Sequence, residues 1–394
     1  MIYLLAVLHA LVDAACAAKL YSYAGSLSVQ QLSSWFFLYN LLAFSTQAFT
    51  GGFLDVISQR QNRLSAKFTS DKHARSNLYL VFAVSGALIV ALGAAISFSL
   101  PAAICLIGMG NSFFHVGGGG YSLSVSKGKA AGIGIFVGPG SLGLTAGILF
   151  PDMKLVYVIG LVLACIAVVL PGVMRDSRYI KKSLGAMPEL MNEKTVHNNA
   201  ADQSIREVPS LPPWILVLTA ILLCLAVAFR AFGGSFPGYS WKKGIPAILI
   251  AAIIVMGGKI AGGFAYDQFG AWKTIVISSI AAAPVIVLFS GNAPASLIGI
   301  FALNIAMPVT LVLLYRCLHQ YPAFTFGMAA SVLFPGSLLG QMAGTALKKD
   351  PAWEGYVIYI CCSIAALLFV LISYRLITRE NIKKEDFSCL QLLS

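Results

Sequence analysis

Apolar residues run along this chain in long, nearly unbroken stretches, and polar residues gather into short segments between them. Twelve runs are long enough to count as spans: 2–24, 33–54, 78–98, 101–125, 130–150, 153–173, 214–235, 244–266, 273–290, 294–315, 323–346 and 353–377. A helix needs roughly 20 apolar residues to cross about 30 Å of hydrocarbon. Runs of this length favour helices over buried strands, and the ten-residue alternation of barrel strands is absent. The pattern predicts an all-α membrane protein with twelve transmembrane helices.

The longest polar stretch, 174–213, mixes both charge signs and separates six runs from six. It reads as a cytoplasmic linker between an N-terminal six-helix bundle, 1–173, and a C-terminal one, 214–377, with a cytoplasmic tail at 378–394. Composition agrees: of 394 residues 58% are hydrophobic and 11% charged, where soluble domains run nearer a quarter charged. A soluble multidomain enzyme, a disordered chain and a small disulfide scaffold are excluded. The net charge of +12 would suggest nucleic acid in a soluble protein. Here its location decides otherwise. With a cytoplasmic N-terminus, the inner connectors and tail hold most of the basic residues, among them Arg60, Arg63, Lys67, Arg175, Arg178, Lys273, Arg316 and Arg375. The outer side holds only Lys19, Lys154, Lys242, Lys243, Lys348 and Lys349. This positive-inside bias places both termini in the cytoplasm.

The first run lacks a basic leader, is too long for a signal-peptide core and carries His9 and Asp13 in its middle. The eight cysteines show no CxxC or Cys/His spacing of a zinc site and read as small buried residues. No metal site and no cofactor are expected.

The chain also repeats itself. Pro139-Gly140-Ser141-Leu142 in the fifth run returns as Pro335-Gly336-Ser337-Leu338 in the eleventh. Gly51-Gly52-Phe53-Leu54-Asp55 after the second run returns as Gly262-Gly263-Phe264-Ala265-Tyr266-Asp267 after the eighth. Both pairs lie six runs apart, the register of two parallel six-helix repeats.

These residues resemble the major facilitator superfamily. Gly263-xxx-Asp267-xx-Gly270-xx-Lys273, preceded by Gly258-Lys259, is similar to that family's loop signature. In the first-half copy Gly51-xxx-Asp55 stands, Ser58 replaces a glycine, and Arg60 must serve as the base. The resemblance implies an aspartate latch at a helix terminus on the inner face, with Lys259 belonging to the inner gate. Gly134-xxx-Gly138-Pro139-xx-Leu142-Gly143 resembles the motif the superfamily associates with drug antiporters. Locally, His9-xx-Val12-Asp13, Gly108-x-Gly110-Asn111-xx-Phe114-His115, and Phe229-Arg230 followed by Phe236-Pro237-x-Tyr239 resemble the fosmidomycin-resistance-like branch. Val12 and Val116 depart from that branch, so its substrates do not carry over. A monomer in a bacterial plasma membrane is the implied default.

Ionisable groups inside a membrane are costly and mark function. Asp13 is the only carboxylate deep in any run, and His9, four residues earlier, shares its helix face. With His115 they form the candidate proton-coupling set. Arg230, permanently charged, is the candidate anion-binding group, or a partner for Asp13, with Asn111, Tyr239 and Asn304 as neutral hydrogen-bonding candidates. Gly117-Gly118-Gly119-Gly120 lacks the Lys-Ser/Thr of a phosphate loop and reads as close packing or a flexible gate segment. No Walker or HExxH motif occurs, so the chain is not expected to be an enzyme. The reading is a proton-coupled antiporter exporting a small anionic compound, the alternative a proton symporter importing a metabolite. A membrane enzyme acting on lipid and a non-transporting sensor are the remaining readings. Partners are a small solute, protons and the bilayer, with no nucleic acid.

Overall fold

The computed structural model describes residues 1–68, 74–185, 212–346 and 353–392. Most of the expected linker, 186–211, lies outside them. The described chain is helical throughout: α1 (Ile2–Tyr21), α2 (Val29–Asn40), α3 (Gln47–Phe68), α4 (Ala74–Ala95), α5 (Leu100–Ser126), α6 (Ala131–Leu149), α7 (Lys154–Gly185), α8 (Pro213–Gly233), α9 (Gly244–Phe289), α10 (Ala293–Cys317), α11 (Pro322–Ala346) and α12 (Trp353–Leu392). Polar caps start several of them. Ser28 and Gln31 form a reciprocal capping box at α2, and Asn292 caps α10 through the Ala295 amide.

Ten helices among the described residues are long and apolar enough to span a bilayer. Three of the twelve runs are not separate helices of this kind: the eighth and ninth follow one another within α9, and the second is interrupted. Gly270, at φ 80° and ψ 170°, breaks α9 between the eighth and ninth runs, a conformation that glycine adopts without steric cost. The second run, 33–54, is not one helix but α2, a π-helical turn at Leu41–Ser45, and α3. Its irregularity is made from outside. The Ser331 hydroxyl on α11 donates to the Phe44 carbonyl (2.9 Å) and accepts from the Ala48 amide (3.1 Å). These are the two groups a regular helix would join to each other, so Ser331 sits inserted in the ladder.

The helices form two bundles, α1–α7 and α8–α12. Within the first, α1 packs on α6 and α4 on α5; within the second, α9 packs on α10 and α8 on α11 and α12. Glycines set the approach of these pairs: a Cβ on Gly143 would strike the Ala10 carbonyl of α1, and one on Gly336 would lie 2.6 Å from the Ala228 carbonyl of α8. Large apolar side chains left exposed, such as Leu155, Ile159 and Leu163 of α7 or Ile277 and Ile280 of α9, form the face presented to lipid.

Two seams join the bundles, α3 with α11 and α6 with α9. They are built alike. At one, Gly51 lies against the Ala323 carbonyl; at the other, Gly263 lies against Ala130 and Ala131. One turn on, the aspartate of each repeat accepts the free amides that open the opposing helix. Asp55 takes those of Ala323 (3.3 Å) and Phe324 (2.8 Å). Asp267 takes those of Ala130 (2.7 Å) and Ala131 (3.1 Å). Each carboxylate thus caps a helix N-terminus, where unpaired N–H groups and the positive end of the dipole favour an anion. The bundles are held together at this latch end.

Candidate functional site

Between the bundles, further along the helices from the latches, lies a cavity of about 350 Å³. That is the range of small-molecule sites. Its first-bundle wall carries His9 and Asp13 from α1, His115 from α5 and Gly140 from α6; its second-bundle wall carries Arg230 from α8, Lys259 from α9 and Asn304 from α10. Apolar side chains, among them Phe44, Met307, Leu311 and Leu333, line the rest.

Asp13 is the focus. The His9 Nε2 lies 3.3 Å from its Oδ2 and the His115 Nε2 3.8 Å from its Oδ1. The Asn111 amide donates to Oδ1 at 3.2 Å. The i,i+4 spacing puts His9 beside Asp13, whereas His115 and Asn111 reach it from α5. Each histidine is fixed from behind. His9 Nδ1 is 2.7 Å from the Phe136 carbonyl, and His115 Nδ1 is 2.9 Å from the Asn111 carbonyl. A carbonyl only accepts, so both Nδ1 atoms carry hydrogen and both Nε2 atoms face the carboxylate. In neutral rings those Nε2 atoms are lone pairs aimed at a carboxylate's lone pairs, a repulsive arrangement. A cation placed among them turns it attractive, and a proton is the simplest.

Gly140 makes the crowding possible. A Cβ there would collide with His9 Nε2 and lie 2.7 Å from Asp13 Oδ2. The other glycines of the Gly134–Gly143 motif serve packing. Gly134 and Gly138 face the α9 backbone at Lys259 and Met256, and Gly143 faces α1. Pro139 lies inside α6. On the latch side of the triad, Phe114, Phe136 and Phe326 form an aromatic floor. Phe136 stacks on His9 at 4.8 Å and meets Phe326 of the other bundle at 5.8 Å. Beside that floor the glycine run of α5 touches a different neighbour at each position. A Cβ at Gly117 would press on the α4 backbone, one at Gly118 on Phe136, one at Gly119 on Phe326 and one at Gly120 on Ala323. This is close packing on every side rather than a phosphate loop.

The remaining candidates fall in different places. Arg230 donates to the Thr310 hydroxyl at 2.7 Å, and no carboxylate pairs with it among the described residues. Guanidinium has five N–H donors, so others remain for the cavity. Lys259, expected at the inner gate, lines the cavity instead. Asn304 lines it too, with its amide spent on the Ile300 carbonyl. Asn111 binds Asp13 and Tyr39 (3.1 Å), so it positions the carboxylate rather than facing a solute. Tyr239 is not among the residues lining the cavity. It stands in the loop between α8 and α9 against Trp241, where burial pushes its phenol up from the ordinary value. Arg60 and Lys273, the basic residues of the two loop signatures, are exposed. Sequence reasoning missed Tyr39, Thr310, Tyr79 and the role of Gly140. Only Gly140 had a signal, its place in the repeated Pro-Gly-Ser-Leu.

No family model and no curated protein matches this sequence. Solved structures do. The chain superposes on FucP, a major facilitator superfamily transporter in the outward conformation, with TM-score 0.55 at 14% identity over 95% of this chain and 99% of that one. A single-residue variant of the E. coli fucose:proton symporter FucP gives TM-score 0.50 at 16% identity over 94% and 98%. The fold is that of major facilitator superfamily transporters, and the chain is an integral membrane protein.

Proposed function

We propose that the protein is a secondary active transporter of the alternating-access kind. The two bundles, 1–173 and 214–377, rock about the central cavity while the latches at Asp55 and Asp267 open and close. Asp13, with His9 and His115, takes up a proton when the cavity faces one side and releases it when it faces the other. Arg230 and Lys259 attract an anionic solute from the opposite wall. The preferred direction is proton-coupled antiport, exporting the solute across a bacterial plasma membrane with both chain termini cytoplasmic. The convergence of two tautomer-fixed imidazoles on the one deep carboxylate, facing two cations across a cavity, carries this reading. Ser141 lines the cavity, and its hydroxyl donates to the Gly138 carbonyl rather than to an imidazole, which favours transport over catalysis on lipid.

The same groups would serve symport, and the fold likeness to a fucose:proton symporter keeps that reading in play. Counterflow in proteoliposomes, using small carboxylates and phosphonates that raise thermal stability, separates the two. Uptake stimulated by an acidic interior supports antiport, and uptake inhibited by it supports symport. Asp13→Asn is expected to fold and bind solute but to lose at least 100-fold of gradient-driven flux. Undiminished proton-driven flux in that variant rejects the carrier role.

A further inference from the structure

The triad holds more ligating atoms than one exchangeable proton needs. A proton shared with Asp13 requires a single imidazole. Here a second, His115, has its Nδ1 committed to a backbone carbonyl in the same way and its Nε2 aimed at the same carboxylate. One ligand atom from each of the three residues lies within 4.8 Å of the other two. A metal ion about 2.0–2.1 Å from each ligand sets neighbouring ligands roughly 3–3.4 Å apart. The His9 Nε2 lies 3.3 Å from Oδ2, which already matches, and the His115 Nε2 lies 3.8 Å from the other oxygen, Oδ1; a shared ion would draw the set in by side-chain rotation from separations of up to 4.8 Å. Nδ1–H bonds to backbone carbonyls are the usual outer support of metal-binding histidines, fixing tautomer and ring direction. Two imidazoles and a carboxylate suit zinc, cobalt, nickel or ferrous iron rather than magnesium or calcium.

Three protein ligands leave coordination positions open, and here they open onto the cavity. Its remaining charged groups are Arg230 and Lys259, both cationic. With neutral imidazoles, one carboxylate faces two positive charges before any metal arrives. A bare dication is therefore poorly accommodated, whereas one arriving with an anionic ligand is not. We infer that His9, Asp13 and His115 form a three-ligand site for a divalent transition-metal ion, carried as cargo together with a small di- or tricarboxylate that completes the coordination sphere and reaches Arg230 and Lys259. The inference rests on reading the cavity as the transport site and narrows its solute to a metal chelate.

Purified full-length protein in detergent, with Co²⁺ and malonate as probes, tests this at equilibrium. Calorimetry should show one Co²⁺ per chain, bound at least 10-fold more tightly with malonate present. His9→Gln and His115→Gln should each weaken binding at least 10-fold, and Arg230→Gln should lose the malonate-dependent gain. X-ray absorption of the Zn²⁺-loaded wild-type protein should show two imidazole nitrogens at about 2.0–2.1 Å, an observation that needs no variant to fold. Absence of binding, binding untouched by the histidine substitutions, or a zinc spectrum without imidazole overturns the metal site. Equal affinity with and without malonate overturns the co-ligand. A protein that fails here yet drives carboxylate flux from a pH gradient leaves the transport reading standing. One that binds the chelate but ignores the gradient refutes proton coupling and not the metal.

Discussion

The two latches share a plan but not an environment. Asp267 belongs to the complete loop signature and is exposed. Asp55 belongs to the degraded copy and is fully buried, receiving the Tyr79 hydroxyl at 2.5 Å as well as the two α11 amides. Ser58, which stands where the signature has glycine, is buried too, and Arg60 points outward. The incomplete motif therefore makes the drier and more connected contact. What the latch requires is a glycine that lets two backbones meet and an aspartate one turn later.

Substitutions can break that ranking. Asp55→Asn removes a buried charge-assisted cap worth about 1.5–3 kcal/mol. Hydrogen exchange in peptides containing Ala323 and Phe324 should accelerate roughly 10- to 100-fold. Asp267→Asn should speed exchange at Ala130 and Ala131 only a few-fold, since water replaces an exposed partner. The reverse order would show that motif completeness, not burial, sets latch strength. Next, Tyr79→Phe should lower stability by about 1 kcal/mol and loosen only the Asp55 latch in the same assay. Ser331→Ala should cost about 0.5–1.5 kcal/mol while letting the Phe44 carbonyl and the Ala48 amide rejoin. Exchange at Ala48 would then slow although the seam weakens. Smallest of all, Arg60→Ala and Lys273→Ala should leave exchange at both latches unchanged; a clear acceleration would return the basic residues to the latch.

The spans and the repeat were legible because a bilayer imposes a length on apolar runs and duplication leaves paired motifs. Gly270 could be seen as a break between runs, but the interruption at Leu41–Ser45 could not. Its cause is Ser331, distant in sequence and on the other bundle. The site divides the same way. His9 and Asp13 are neighbours by helical period alone. His115 and Asn111 meet them only because α5 packs at the required height, and the approach of Gly140 depends on how closely α6 lies on α1. The motif around Lys259 points to the gate, and its height along α9 sets it on the cavity wall.

The glycine run of α5 has a consequence for motion. Each glycine weakens a helix by about 1 kcal/mol relative to alanine, so this turn contributes little rigidity of its own and borrows it from what surrounds it. Two of its supports, Phe326 and Ala323, belong to the opposite bundle. When the α3–α11 seam parts, those supports leave together and the turn becomes the softest point of the rod. His115 lies two residues before it, so an elbow there would swing that imidazole relative to Asp13 and loosen the grouping of the three side chains.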